Sequence, residues 1–228
     1  MTSRVWIAVA GSGLAVFAVI VATEGLLPEA SFDPAHQTIS EYAHTSAGTL
    51  MVVGFIAWAL SWAVLAGPGS ASSLSTSSPR LLTLQRIAFA STAIGLVLAA
   101  CFATDRGLVE PGAVLQSTTE GKIHDVASAL VTVGILVAAL TGAALVGGRV
   151  RTLTLLLMAT AVTVDVFMLG LGDPIPGIRQ RILLSAGCLW QAIWLATLWP
   201  VRLFQIAGST TSHEYPCKSP HFQRGRRR

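Results

Sequence analysis

Six stretches of about 20 apolar residues constrain this chain most, because each is long enough to cross a bilayer as a helix. They cover approximately residues 5–23, 47–66, 84–103, 123–146, 152–172 and 180–199. Only 11% of the 228 residues are charged, whereas soluble domains carry about a quarter. The sequence therefore predicts an all-α membrane protein, a bundle of six transmembrane helices that forms one domain over residues 1–207.

The distribution of basic residues predicts how the bundle is oriented. Of the 15 Lys and Arg residues, only a few fall on the side away from the N-terminus: Arg106, Lys122, Arg179 and Arg181. Because basic residues concentrate in cytoplasmic loops, both termini are expected inside, in an N-in/C-in arrangement. The composition fits a multi-pass protein of a bacterial inner (plasma) membrane. Tryptophans near the predicted inner boundary are expected to form an aromatic belt: Trp6, Trp58, Trp62 and Trp199.

The remaining segments predict partners rather than chemistry. Residues 208–228 are expected to form a disordered basic cytoplasmic tail that touches anionic lipid headgroups; no nucleic-acid-binding fold accompanies it. In the fourth span, Gly134, Ala138 and Gly142 form a small-residue stripe for packing inside the bundle, with a homo-oligomer contact as the alternative. The three cysteines lack metal-ligand spacing, and no particular cofactor is indicated.

Polar motifs recur on the predicted outer side of the spans. They are Gln-Thr-Ile-Ser-Glu at 37–41, Phe-x-Thr-Asp at 102–105, Thr-x-x-Gly-x-x-His at 118–124 and Gly-x-x-Gln-Arg at 177–181. Their order resembles the domain-of-unknown-function 998 family of six-span membrane proteins, a relative of the Frag1/DRAM-like group. The resemblance covers roughly residues 5–200 and implies fold and topology but no activity. Ala103 departs from the proline expected there; the matched positions are Ser40, Glu41, Asp105, Gly121, His124, Gln180 and Arg181.

These residues support two hypotheses about function. In the first, an outer-leaflet polar pocket binds a lipid headgroup or small polar ligand through His36, Ser40, Glu41, Asp165, Gln180 and Arg181. In the second, a membrane-embedded hydrolase or transferase acts on a lipid or isoprenoid. His124 would then be its acid/base, oriented by Asp105 or Asp125. An ion-coupled transporter that uses the intramembrane Asp165 is a third possibility.

Each of these side chains also has a structural interpretation. Thr38 with Glu41, and Ser117 with Glu120, have capping-box spacing before the second and fourth helices. His124 can bond a loop carbonyl, Asp165 can pair with Arg181, and Gln191 can join helices by hydrogen bonds. His36, His124, Asp105 and Asp125 are zinc-type ligands without motif spacing, so no metal is predicted. Ser40, His124 and Asp105 have the residue types of a catalytic triad, but no Gly-x-Ser-x-Gly elbow is present.

Overall fold

The computed structural model describes residues 3–24, 33–45, 48–67, 78–105, 118–172 and 175–199. Six helices within these ranges are long and apolar enough to cross a membrane. They are α1 (Ser3–Glu24), α2 (Gly48–Ala66), α3 (Pro79–Cys101), α4 (Thr119–Leu145), α5 (Gly148–Gly170) and α6 (Pro176–Leu198). A 3₁₀ helix, Ile39–His44, precedes α2. The prediction of an all-α bundle with six membrane-type helices is confirmed; the tail at 208–228 lies outside the described residues.

Several helices begin earlier than hydropathy predicts, because their first turns are polar but well capped. Ser78 accepts a hydrogen bond from the amide of Leu81 at the start of α3. Thr118 accepts one from Gly121, 3.0 Å, at the start of α4. The N-cap of α4 is therefore Thr118, and the prediction of Ser117 was wrong by one residue. The short turn into α5 uses Gly148 at φ 66°, a conformation that favours glycine.

The helices alternate in direction, so α1, α3 and α5 end where α2, α4 and α6 begin. We call this the 3₁₀ end of the bundle, since Ile39–His44 lies there. The small-residue stripe of α4 packs inside the bundle, as expected. A Cβ added at Gly134 would overlap the hydroxyl of Thr92 on α3, and one at Gly142 would press on Trp190 of α6.

The core contains an aromatic layer that corrects the predicted belt. Trp58 and Trp62 are both fully buried, so they do not lie at a lipid interface. Trp58 stacks on Phe17 of α1, with ring centroids 4.2 Å apart, and Trp62 stacks on Trp190 at 5.8 Å. Hydropathy alone does not reveal which face of a helix packs inward, which is why these two residues were misplaced.

One hydrogen-bonded chain crosses this aromatic layer. Trp58 Nε1 donates to Gln191 Oε1 at 2.7 Å, and Gln191 Nε2 donates to Ser61 Oγ at 2.7 Å. Ser61 Oγ donates in turn to the carbonyl of Ala10, 2.6 Å away. The chain links α1, α2 and α6, and it confirms the prediction that Gln191 joins helices by hydrogen bonds.

Candidate functional site

The candidate site lies at the 3₁₀ end, beneath a turn at residues 33–38 that we call the roof. Arg181 holds the roof to α6, because its Nη1 donates to the carbonyls of Pro34 (2.7 Å) and Gln37 (2.8 Å). The amide of Ile178 donates to the carbonyl of Ala35, 3.2 Å. Gly177 permits this contact, since a Cβ there would overlap roof carbonyls. Arg181 therefore organises backbone at the site.

Glu41 closes the start of the 3₁₀ helix. Its Oε1 accepts from the amide of Thr38 at 3.2 Å and from the Thr38 hydroxyl at 2.9 Å. The predicted pairing of Thr38 with Glu41 is confirmed, but the element it opens is the 3₁₀ helix, because α2 begins only at Gly48. Glu41 is thus engaged in holding the local backbone.

The same bonds fix the direction of the Ser40 hydroxyl. Ser40 Oγ lies 3.2 Å from Thr38 Oγ1. Thr38 already donates its hydroxyl proton to the Glu41 carboxylate, so Ser40 must be the donor in this pair. Ser40 is buried and lines a cavity beneath the 3₁₀ helix. Its oxygen consequently offers lone pairs to that cavity.

The side-chain amide of Gln180 is also fixed in orientation, but it offers hydrogen-bond donors, whereas Ser40 offers an acceptor. Its Oε1 accepts from the amide of Ile39 at 2.5 Å, and a backbone amide can only donate, so the oxygen and nitrogen of the side chain are assigned unambiguously. Gln180 also lines the cavity. Its amide N–H groups are therefore the part available for a bound molecule.

His124 is 3% exposed, and its Nδ1 lies 2.8 Å from the carbonyl of Phe102. The structural interpretation of a histidine bonded to a loop carbonyl is thus confirmed. Because a carbonyl can only accept, Nδ1 carries the proton, and in the neutral ring Nε2 is a hydrogen-bond acceptor. Since His124 lines the same cavity, its acceptor nitrogen joins the lone pairs of Ser40.

The cavity brings together polar residues from the 3₁₀ helix, α4 and α6. Its volume is about 50 Å³, and its polar lining is Ser40, His124, Ser128, Thr132 and Gln180. Apolar side chains close it below: Phe55, Leu96, Ala99, Val131, Leu183 and Leu184. A water occupies roughly 10–15 Å³ on this scale, so the cavity has room for about three.

Asp105 and Asp125 stand apart from this lining. Asp105 accepts from the Thr118 amide at 3.0 Å and from the Thr118 hydroxyl at 2.6 Å, and it packs over Gly121. It therefore ties the end of α3 to the start of α4, while the backbone at Phe102 orients His124. Asp125 is on the exposed face of α4. The polar stripe of α4 faces the cavity through His124, Ser128 and Thr132 only.

The sequence that forms this arrangement matches a known protein family. The family model described as a protein of unknown function (DUF998) matches residues 9–197. The chain belongs to the DUF998 family. Comparison with curated proteins and with solved structures gives no match. All four polar motifs of this DUF998 protein fall within the matched residues.

Asp165 and His36 lie away from the cavity in the DUF998 protein. Asp165 pairs with Arg179 at 2.7 Å, so the expected pairing with Arg181 was wrong; Arg181 is engaged by the roof carbonyls. His36 Nδ1 lies 2.6 Å from Asp33 Oδ2 on the exposed surface of the roof. This hydrogen bond, with one from the amide of Ala35, holds the pKa of Asp33 below its ordinary value of 3.8.

Two further observations complete the site. Sequence analysis missed His44, whose Nε2 lies 2.7 Å from the carbonyl of Thr104 and so ties the 3₁₀ helix to the end of α3. Its position three residues after Glu41 was the only available signal. Within the described ranges, no three His, Cys, Asp or Glu side chains form a group that could hold a metal ion.

Proposed function

We propose that this DUF998 protein is a multi-pass membrane protein that binds a small neutral hydroxyl-bearing group in the cavity beneath the 3₁₀ helix. The group belongs either to a small solute or to the end of a lipid headgroup. With the N-in/C-in orientation, the cavity lies below the outer surface of a bacterial inner membrane. This orientation, this membrane, the Frag1/DRAM-like grouping and the lipid contacts of the tail are inferences from sequence.

The observation that carries the proposal is the opposite polarity of the groups around one cavity. His124 Nε2 and Ser40 Oγ offer lone pairs, whereas Gln180 offers N–H groups. A hydroxyl can donate to the first pair and accept from the amide, while Ser128 and Thr132 adapt to either role. A fully ionised phosphate or a carboxylate has no hydrogen to donate, so lone pairs disfavour it. The volume limits the bound part to about three non-hydrogen atoms.

A membrane-embedded enzyme is the second candidate, and the shared cavity of Ser40 and His124 favours it. The hydroxyl proton of Ser40 is directed to Thr38 rather than to His124, and the ring of His124 is held by a carbonyl rather than a carboxylate. Both contacts support binding over hydrolysis. A fluorophosphonate probe that reacts with activated serines should leave Ser40 unlabelled; labelling that needs His124 would support the enzyme instead.

Native mass spectrometry of the detergent-purified protein tests binding with two lipids of identical acyl chains. Phosphatidylglycerol carries headgroup hydroxyls, whereas phosphatidic acid carries none at a pH well above the second phosphate pKa of about 6. We expect phosphatidylglycerol to bind at least about tenfold more tightly, because a site built for a hydroxyl leaves its polar groups unpaired without one. Free glycerol forms the third arm, and its binding without a lipid preference would identify a solute as the source.

Ser128→Leu fills the cavity without removing His124, and it should abolish the phosphatidylglycerol preference and any glycerol binding. Ser12→Leu is the matched control, since Ser12 is exposed on α1. Equal affinity for both lipids together with no glycerol binding would contradict the proposal. So would a Ser128→Leu protein that binds as the wild type does.

A further inference from the structure

Hydrogen bonds hold the cover of the cavity to the helices around it. Gln180 on α6 binds the amide of Ile39 in the 3₁₀ helix, and Arg181 holds the roof through two backbone carbonyls. His44, at the other end of the 3₁₀ helix, lies 2.7 Å from the carbonyl of Thr104, which follows α3. A ligand that entered through this cover would have to break these bonds.

The seam between α4 and α6 is packed below the cavity and is open beside it. Below the cavity, a Cβ added at Gly187 of α6 would press on Ile135 of α4, at 3.0 Å. Beside the cavity, several lining residues of these two helices are partly exposed: Ser128, Thr132, Gln180 and Leu183. The lining residues Ser40 and Phe55, from the 3₁₀ helix and α2, are buried.

α5 does not cover this part of the seam. Its buried residues are Thr154, Met158 and Ala161, whereas residues 162–170 are all partly or fully exposed. Because α5 begins at the end opposite the 3₁₀ end, it packs on the bundle below the cavity. Nearer the 3₁₀ end, Asp165 still pairs with Arg179 of α6. The cavity therefore opens sideways, between α4 and this ion pair.

The polar lining lies below the edge of the hydrocarbon core. α4 has 27 residues, about 40 Å at the helical rise, so it extends past a core of about 30 Å by roughly 5 Å at each end. His124 and Ser128 lie roughly 7 Å and 13 Å from the start of α4. Both are therefore inside the core, near the depth where the acyl chains of a lipid join its glycerol backbone.

This depth selects among lipids that carry a hydroxyl. In phosphatidylglycerol the headgroup hydroxyls lie beyond the phosphate, so placing one of them at His124 would draw an ionised phosphate toward the hydrocarbon core, which costs desolvation energy. A diacylglycerol is uncharged, and its hydroxyl is on the glycerol backbone, at the depth of the cavity. Its terminal CH₂OH group fits a volume that admits about three non-hydrogen atoms.

We propose that the ligand of the cavity is a neutral glycerolipid of the diacylglycerol class. It inserts its free hydroxyl sideways between α4 and α6, while its acyl chains remain in the bilayer. The hydroxyl donates to His124 Nε2 and accepts from the Gln180 amide. This assignment, which rests on the proposed function, takes the hydroxyl group from a membrane lipid and not from a solute.

Native mass spectrometry of the detergent-purified protein tests the ligand with a diacylglycerol and its 3-acetyl ester, which share their long acyl chains and carry no charge. The diacylglycerol should bind at least about tenfold more tightly, because the ester has no hydroxyl to pair with the site. It should also bind more tightly than phosphatidylglycerol of the same chains. Ser128→Leu should abolish the preference over the ester, and Ser12→Leu, on the exposed face of α1, should retain it.

Equal affinity for the diacylglycerol and its ester, or tighter binding of phosphatidylglycerol, would overturn the proposal. Binding of free glycerol without any lipid preference would overturn it as well. The proposed function would survive either result if phosphatidylglycerol still bound more tightly than phosphatidic acid or if glycerol bound in the cavity, so the two failures are distinguishable.

A photoreactive diacylglycerol tests the side of entry. With a diazirine next to the ester of one acyl chain, in lipid bicelles, it should cross-link more than its acetyl ester does to Ala129 of α4 and Val162 of α5, which are exposed near the opening. Val19, exposed on α1, is the reference and should be labelled equally by both lipids. Excess labelling at Val19, or equal labelling by both lipids at Ala129 and Val162, would overturn entry between α4 and α6.

Discussion

Two glutamines on α6 show how differently two layers of this bundle use polar groups: the aromatic layer, and the layer around the cavity beneath the 3₁₀ helix. Gln191, in the aromatic layer, engages both ends of its amide, with Trp58 Nε1 at 2.7 Å and Ser61 Oγ at 2.7 Å. Gln180, three turns nearer the 3₁₀ end, engages its side-chain oxygen, which accepts from the amide of Ile39 among the residues that the structure describes. The protein therefore supplies hydrogen-bond partners for both the oxygen and the nitrogen of the Gln191 side chain. The Gln180 side chain retains amide hydrogens that can bind a ligand.

The difference extends to the neighbours of each glutamine. Around Gln191 every member of the chain from Trp58 to the carbonyl of Ala10 has its partner in another helix. Around Gln180 the polar groups meet across an open volume of about 50 Å³. A buried polar group without a partner is costly, so the second layer is stable when water or a ligand occupies it. The comparison separates polar residues that hold helices from those that bind.

The largest expected effect compares two buried glutamines under one substitution. Gln191→Leu removes the partners of Trp58 Nε1 and Ser61 Oγ, and it should lower the free energy of unfolding by about 2 kcal/mol. Gln85 is equally buried, at 2% exposure, but neither of its amide atoms has a hydrogen-bond partner among the described residues. Gln85→Leu should therefore be neutral or stabilising.

Unfolding of both variants in mixed micelles with increasing dodecyl sulfate measures these free energies. The sign of the difference between the two substitutions is the result that matters, because both replace the same amide with the same apolar side chain. Equal losses would mean that burial of Leu at these depths, rather than hydrogen bonding, sets the stability.

A smaller effect is expected from removing one hydroxyl in each layer. Ser61→Ala leaves Gln191 Nε2 without its acceptor, so the free energy of unfolding should fall by about 1 kcal/mol. Ser128→Ala removes a hydroxyl that faces the cavity, where water can replace it, and the change should stay below about 0.5 kcal/mol. The same unfolding assay compares them, and a greater loss in Ser128→Ala would break the distinction between the layers.

Sequence analysis could predict the helices but not the way they face. Runs of apolar residues predict six helices long and apolar enough to cross a membrane, and the described residues confirm all six. Trp58 and Trp62 were misplaced because a span is apolar on every side, so hydropathy does not separate the lipid-facing side from the core. The partner of Trp58, Gln191, is 133 residues away, and no local pattern connects them.

In the candidate site, too, the sequence does not reveal which partner each side chain faces. Arg179 and Arg181 are two residues apart, which separates them by about 200° around α6. One therefore pairs with Asp165 on α5, and the other holds the roof. The type of bond made by His124 could be anticipated, but its partner, Phe102, could not, because the packing of α3 against α4 brings them together. Local capping at Thr38 was predictable, since it depends on residues three positions apart.

The smallest effect concerns the roof of the cavity, where an exposed carboxylate adds to the backbone contacts made by Arg181. Asp33 accepts from Ala35 at 2.9 Å, and its pKa is lowered chiefly by the hydrogen bond with His36 and then by this amide. A lowered pKa means that the contribution to stability is complete above the ordinary value of 3.8 and is lost as the pH falls through the folded value. Asp33→Asn should thus slightly increase hydrogen exchange at the Ala35 amide near neutral pH, and the variant and wild type should converge in acid.

Asp125→Asn, on the exposed face of α4, is the control and should leave exchange in the roof unchanged. A difference at Ala35 that persists well below pH 3.8 would show that the roof depends on the shape of the side chain and not on its charge.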